Sequence, residues 1–154
     1  MEERKPYGVK KEMKNNDRFK FRAWDKSFHK YCENVIVSTI NNEITVYGRL
    51  VGGRTALIPD SHVELEQCTG LYDCNGKLIY EGDIIRTEIE TDNEYKQIIG
   101  EIVFWRLEWT IKTKRVFYPL SCAGKFSNGI KMPKQCDLTE VIGNIHENPE
   151  LLEG

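Results

Sequence analysis

Histidine, paired cysteine and long apolar runs are all scarce in this 154-residue chain, and each scarcity removes a class of chemistry. The three histidines, His29, His62 and His146, are scattered, so a histidine metal centre would need convergence that no local spacing supplies. Five cysteines, Cys32, Cys68, Cys74, Cys122 and Cys136, make an odd number with no C-x-x-C pair. Reduced, partly buried thiols are therefore expected, and neither a complete disulfide framework nor a structural zinc site. No apolar run approaches the roughly 20 residues that span a bilayer, which excludes a membrane helix. Heptads, internal repeats and long amphipathic helices are also missing. The charged start, Met1-Glu2-Glu3-Arg4-Lys5, has no apolar core behind it and does not read as a secretory signal, so a cytosolic location is expected.

What is present is β structure. At 40% hydrophobic residues and a mean hydropathy of -0.53, the chain has the composition of an ordinary globular protein. Its length allows one main β-rich domain. Residues 1–18 are polar and basic and read as a mobile tail, leaving 19–154 as the folded unit, with any internal boundary placed near Pro59. Phe19, Phe21 and Ala23 fall on one face of a first strand, Lys20, Arg22 and Trp24 on the other, and Asp25-Lys26-Ser27 reads as a turn. Val35-Ile36-Val37 and Ile44-Thr45-Val46-Tyr47 flank Asn41-Asn42 as a hairpin that Gly52-Gly53 closes. Val63, Leu65 and Gln67 alternate with Glu64, Glu66 and Cys68 in the strand feeding a central hairpin.

That central stretch runs Thr69-Gly70-Leu71-Tyr72-Asp73-Cys74-Asn75-Gly76-Lys77-Leu78-Ile79-Tyr80-Glu81-Gly82-Asp83-Ile84-Ile85. Asn75-Gly76 signals a tight two-residue turn with positive φ at both positions, and Glu81-Gly82-Asp83 a second turn into Ile84-Ile85. Farther on, Val103, Trp105, Leu107, Trp109 and Ile111 occupy every second position, with Arg106, Glu108, Thr110 and Lys112 between them. This is the period of half-buried strand, either one long strand or a hairpin turning near Arg106-Leu107-Glu108. Residues 121–137 are rich in Gly, Ser, Lys and Pro and read as a long loop. Val141 to Ile145 makes a last strand, and Asn148-Pro149-Glu150 supplies a capping Asn and a Pro for one helical turn.

The central stretch, with the opening Phe21-Arg22-Ala23-Trp24-Asp25 and the closing Glu140-Val141-Ile142-Gly143-Asn144-Ile145-His146-Glu147-Asn148-Pro149-Glu150-Leu151-Leu152, resembles the YopX family from about Phe19 to Leu152. The match is loose between Asn34 and Ser61. The resemblance implies a mostly β protein of bacteriophages or prophages, built as a small barrel or strongly bent antiparallel sheets, with no established biochemical activity. It also favours the hairpin reading of 103–111. Its motif residues, Thr69, Gly70, Leu71, Asp73, Gly76, Tyr80, Glu81, Gly82, Asp83, Gly143, Asn144, Glu147, Asn148 and Pro149, are expected to serve structure.

No catalytic motif stands out. Asp73, Glu81 and Asp83 would suit a divalent cation or a shared proton if brought together, yet each lies at or beside a turn, where a carboxylate satisfies local backbone donors. Tyr80 reads as a core or cross-strand partner. Gly52-Gly53-Arg54-Thr55 lacks the Gly-Lys-Ser/Thr ending of a phosphate loop, so no nucleotide cofactor is implied. Ser61 and His62, neighbours in sequence, point to opposite faces of a strand and make a poor nucleophile and base. Nothing activates Cys122 or Cys136.

Charge is the one functional signal. Within a formal net charge of -2, residues 105–136 hold Arg106, Lys112, Lys114, Arg115, Lys125, Lys131 and Lys134 against the single acid Glu108. In the strand reading Arg106, Lys112 and Lys114 share an outward face, a track for phosphates, with Trp105 and Trp109 on the opposite, apolar face. A pI near 6.0 weighs against nucleic acid. The expectation is a cytoplasmic, non-catalytic module binding a phage or host protein or a second copy of itself, with nucleic-acid binding and then a metal-dependent hydrolase as alternatives.

Overall fold

The computed structural model describes residues 19–40, 43–49, 55–58, 62–91, 94–122 and 138–153. The basic tail, Gly52-Gly53, the boundary near Pro59 and Lys125, Lys131 and Lys134 lie outside the described residues. Three antiparallel sheets account for most of them.

The first sheet has the order β2-β1-β6-β7. Its strands are β1 (Phe21–Asp25), β2 (Lys30–Tyr31), β6 (Val63–Tyr72) and β7 (Leu78–Tyr80). The turn after β1 forms as expected, because Asp25 Oδ1 accepts the backbone N–H groups of Ser27 and Phe28 at 2.8 and 3.1 Å. Phe19 lies before the strand and is exposed. A second sheet contains β3 (Glu33–Ile40), β4 (Glu43–Arg49) and β5 (Thr55–Ile58), and the β3–β4 hairpin matches the sequence reading.

The third sheet, β11-β10-β9-β8-β12, carries the main core. Its long ribbon is β8 (Asp83–Thr91) and β9 (Glu94–Trp105), followed by β10 (Glu108–Lys112) and β11 (Phe117–Pro119), with β12 (Glu140–Asn144) on the other edge of β8. Ile79, Ile85, Ile89, Ile98, Ile102, Ile111 and Leu120 bury against one another, and Leu71, Trp109, Tyr118 and Val141 pack on them. Burying each such aliphatic side chain contributes about 1.5–3 kcal/mol, so among the described residues this cluster is the larger apolar contribution to folding. The architecture is the mainly β one expected, with curled antiparallel sheets and helix confined to short 3-10 turns among the described residues. No helix among them is long and apolar enough to cross a membrane.

Three local expectations change, at the Asn75-Gly76 turn, at Trp105 and at the Asn148 cap. At Asn75-Gly76 only Gly76 has positive φ, +79°, and the bonds Asp73 N to Lys77 O and Gly76 N to Asp73 O define a three-residue loop with a left-handed last residue. Asp73 dictates the longer loop, since its Oδ1 accepts from both Asn75 N and Lys77 N. In β6 the expected alternation holds over Val63 to Gln67, which pair with β1 without a register shift, and both faces bury residues: Val63 on one, Glu66 and Cys68 on the other. Residues 103–111 form the hairpin that the resemblance favoured, turning at Arg106-Leu107, and the register change brings Trp105, expected on the apolar face, to the surface, 48% exposed, while Trp109 packs on the core. Asn148 precedes the 3-10 turn Pro149–Leu152 but makes no side-chain capping bond, because its amide lies over Gly143.

Candidate functional site: a buried ionic junction between two sheets

Arg22 and Glu66 sit directly opposite each other on β1 and β6, the closest cross-strand geometry that two side chains can have. Arg22 Nε donates to Glu66 Oε2, and Arg22 Nη1 lies 2.7 Å from Asp83 Oδ1 at the start of β8 in the third sheet. Its Nη2 donates to the Glu81 carbonyl at 3.1 Å, so the guanidinium spans the first and third sheets. The rings of Tyr31 and Tyr80 flank it at 4.6 and 4.9 Å, an arrangement favourable to a partly desolvated cation.

Glu66 collects three donors. Besides Arg22, Tyr31 Oη donates to Oε2 at 3.1 Å and His146 Nε2 lies 2.8 Å from Oε1. His146 stacks on Trp24 with centroids 4.5 Å apart and an interplanar angle of 6°. The loop carrying it is shaped by Asn144, whose Oδ1 accepts from His146 N and Glu147 N while its Nδ2 donates to Glu147. Gly82 closes the junction from β8's side: at φ +75° it occupies the left-handed region, and a Cβ there would sit 2.6 Å from Glu66 Oε1.

Glu66 and Asp83 are 3% and 1% exposed, so both carboxylates are removed from water. Burial pushes Asp83 above the usual carboxylate range even though Arg22 opposes the shift. Burial likewise raises Tyr31, Tyr80 and Glu81. For Arg22 burial acts to lower the pKa, but the carboxylates of Asp83 and Glu66 outweigh it and the net direction is upward. Asp83 Oδ2 accepts from Tyr80 N at 2.8 Å, while Oδ1 faces Arg22 without the alignment of a hydrogen bond. The contact there is electrostatic. Arg22, Glu66, Asp83, Tyr31 and His146 are thus engaged with one another, and together they tie the two sheets.

The three suspected acids do not converge. Asp73 closes its own loop and accepts from Val141 N at 3.1 Å, Asp83 belongs to the junction, and Glu81 lies on the turn between β7 and β8. Among the described residues no group of three or more His, Cys, Asp or Glu side chains is placed to hold a metal ion. Other motif residues fill local needs: Thr69 Oγ1 donates to the Ile79 carbonyl within the bulge, Gly70 has φ +80°, Leu71 packs on the core, and Gly143 leaves room for Asn148.

The described basic residues do not form the shared face expected of them. Arg106 occupies the β9–β10 turn, 5.7 Å over the Trp105 ring. Lys112, at the far end of β10 from that turn, pairs with Glu101 at 2.9 Å, and Lys114 Nζ donates to the Glu153 carbonyl. Arg115 is exposed beyond them. Sequence reasoning missed Arg22, Glu66 and His146. The available signal was positional, for the opening, central and closing motifs supply Arg22 and Trp24, Tyr80 to Asp83, and His146, and these meet here.

The family model for the YopX protein matches residues 20–153. Among solved structures, protein yopX from Bacillus subtilis superposes with a TM-score of 0.53 at 19% identity, covering 86% of this chain and 96% of that one, a likeness of fold. Protein EF1440 from Enterococcus faecalis is 26% identical over the same shares of the two chains, with a TM-score of 0.48. No functionally curated protein matches. With a family model spanning nearly all of its length and carried by the motifs that build the junction, the chain belongs to the YopX family.

Proposed function

We propose that this protein is a non-catalytic interaction module, of phage or prophage derivation and acting in the bacterial cytoplasm, that associates through the tip of the β9–β10 hairpin, first with a second copy of itself. The observation that carries the reading is Leu107. It is 92% exposed and, with Arg106, sits at positive φ (70° and 50°) in a two-residue turn where glycine or asparagine would be less strained. A strained turn that displays a large apolar side chain makes sense if that side chain is used. Trp105, Phe104 and Phe117 are also exposed around it, with Trp105 and Phe117 stacked 5.4 Å apart, giving the aromatic and arginine composition typical of binding surfaces. Sedimentation velocity across a concentration series tests this. Association that is lost when Arg106-Leu107 is replaced by Asn-Gly supports it, and a chain that stays monomeric at every concentration overturns self-association.

A second reading has its own observation. Trp105, expected in the core, lies at the surface under Arg106, the pairing of exposed ring and cation on which single-stranded nucleic acid stacks. Titration of labelled single strands at about 50 and about 200 mM salt decides it, since a phosphate-driven affinity falls steeply over that range.

A further inference from the structure

A second surface, sharing no residue with the hairpin tip, lies where the 113–116 turn and the C-terminal 3-10 turn flank β9. It is a groove of about 650 Å³ with Ile99, Val116, Leu151 and Leu152 among its aliphatic lining. Lys96, Lys112, Lys114 and Arg115 stand around it. Two of these are already engaged, Lys112 with Glu101 and Lys114 with the Glu153 carbonyl. The side chains of Lys96 and Arg115 are exposed and carry no ion pair or hydrogen bond among the described residues.

We propose that this groove takes an extended peptide segment of a partner protein in which carboxylates alternate with aliphatic side chains. An extended segment sends successive side chains to opposite sides, so the aliphatic ones reach the lining while the acids meet Lys96 and Arg115 at the rim. The lining decides against a nucleic acid here. Ile98, Ile99, Val116, Leu151 and Leu152 give it an aliphatic floor suited to branched side chains, and among the described residues Tyr118 is its one aromatic ring, too little for the base stacking that single strands use. The Lys112 and Lys114 contacts, by holding Glu101 and the 113–116 turn in place, preset the shape that an incoming segment would meet.

The test is fluorescence anisotropy on the full chain with a labelled peptide alternating Glu and Leu, a control alternating Glu and Ser, and oligothymidylate. The Glu-Leu peptide is expected to bind at least about tenfold tighter than the Glu-Ser control, because burying leucine supplies most of the difference. Reversing the two free cations, Lys96→Glu with Arg115→Glu, is expected to weaken it about tenfold or more. Both positions are exposed, so an unchanged circular dichroism spectrum separates lost binding from lost folding. Equal binding of the two peptides, tighter binding of oligothymidylate, or indifference to the double reversal would each overturn the proposal. Trp105→Ala is expected to leave the peptide affinity unchanged. If it abolishes peptide binding, the peptide sits on the hairpin tip and the groove is not the site, whereas loss of self-association alone concerns only the hairpin.

Discussion

Arg22 and Arg106 each lie over an aromatic ring, yet the two belong to opposite regimes. Arg22 is held between the buried carboxylates of Glu66 and Asp83, with tyrosine rings at 4.6 and 4.9 Å, and it joins two sheets. Arg106 lies 5.7 Å over Trp105 at the end of a hairpin whose neighbours face water. The pairing of cation with ring is therefore no guide to role. What separates them is the cost of removal: an unpartnered carboxylate in the interior is expensive, and a solvated one is not.

The sharpest way to break the contrast is to remove each arginine in turn. Arg22→Met leaves Glu66 and Asp83 without their cation and is expected to destabilise the protein by about 3–5 kcal/mol in urea unfolding. Arg106→Met should change the same measurement by less than about 0.5 kcal/mol. A similar loss at both positions would end the distinction. Next in size is Gly82→Ala, which forces a Cβ into the left-handed region and against Glu66. About 2 kcal/mol of lost stability is expected, combining backbone strain with displacement of the carboxylate.

Replacing Arg106-Leu107 by Asn-Gly is expected to act in the other direction, raising stability by about 1 kcal/mol as the turn relaxes while self-association disappears. Opposite signs on the two readouts would mark the tip as strained for binding. The smallest effect concerns pH. Burial raises the folded-state pKa of Glu81 above its unfolded value, so the folded chain binds more protons than the unfolded chain in the window between the two. Stability from this group is present below that window and lost as pH rises through it. Thermal unfolding is expected to show a shallower fall with rising pH in Glu81→Gln than in the parent, and an identical slope would remove Glu81 as the cause.

Much of the fold was legible because period-2 patterning and turn residues report local geometry directly. The 140–144 strand and the hairpin over 33–49 follow from β-branched runs and their punctuation. The junction was not legible, since its partners lie 44 and 80 residues apart and Glu66 reads in sequence as one more polar residue on an alternating strand. Trp105 fails for a related reason. A two-residue turn inside an apparently continuous alternation resets the register, and the period alone cannot reveal the break. The 83–105 ribbon also exceeded what the patterning announced, because Gly100, whose added Cβ would meet Ile111 Cγ2 at 2.6 Å, hides a core position behind a residue with no side chain.

The span of the junction also has a temporal meaning. Synthesis proceeds from the N-terminus, so Arg22 and Glu66 leave the ribosome well before His146, which completes the donors around Glu66. Until then the stack of its imidazole on Trp24 cannot form. Contacts of such long sequence separation form late and slowly, which leaves a nascent chain with an unfinished seam during translation. Protection of Glu66 and Trp24 is therefore expected to be among the last events of folding, gained only when the closing motif has been made.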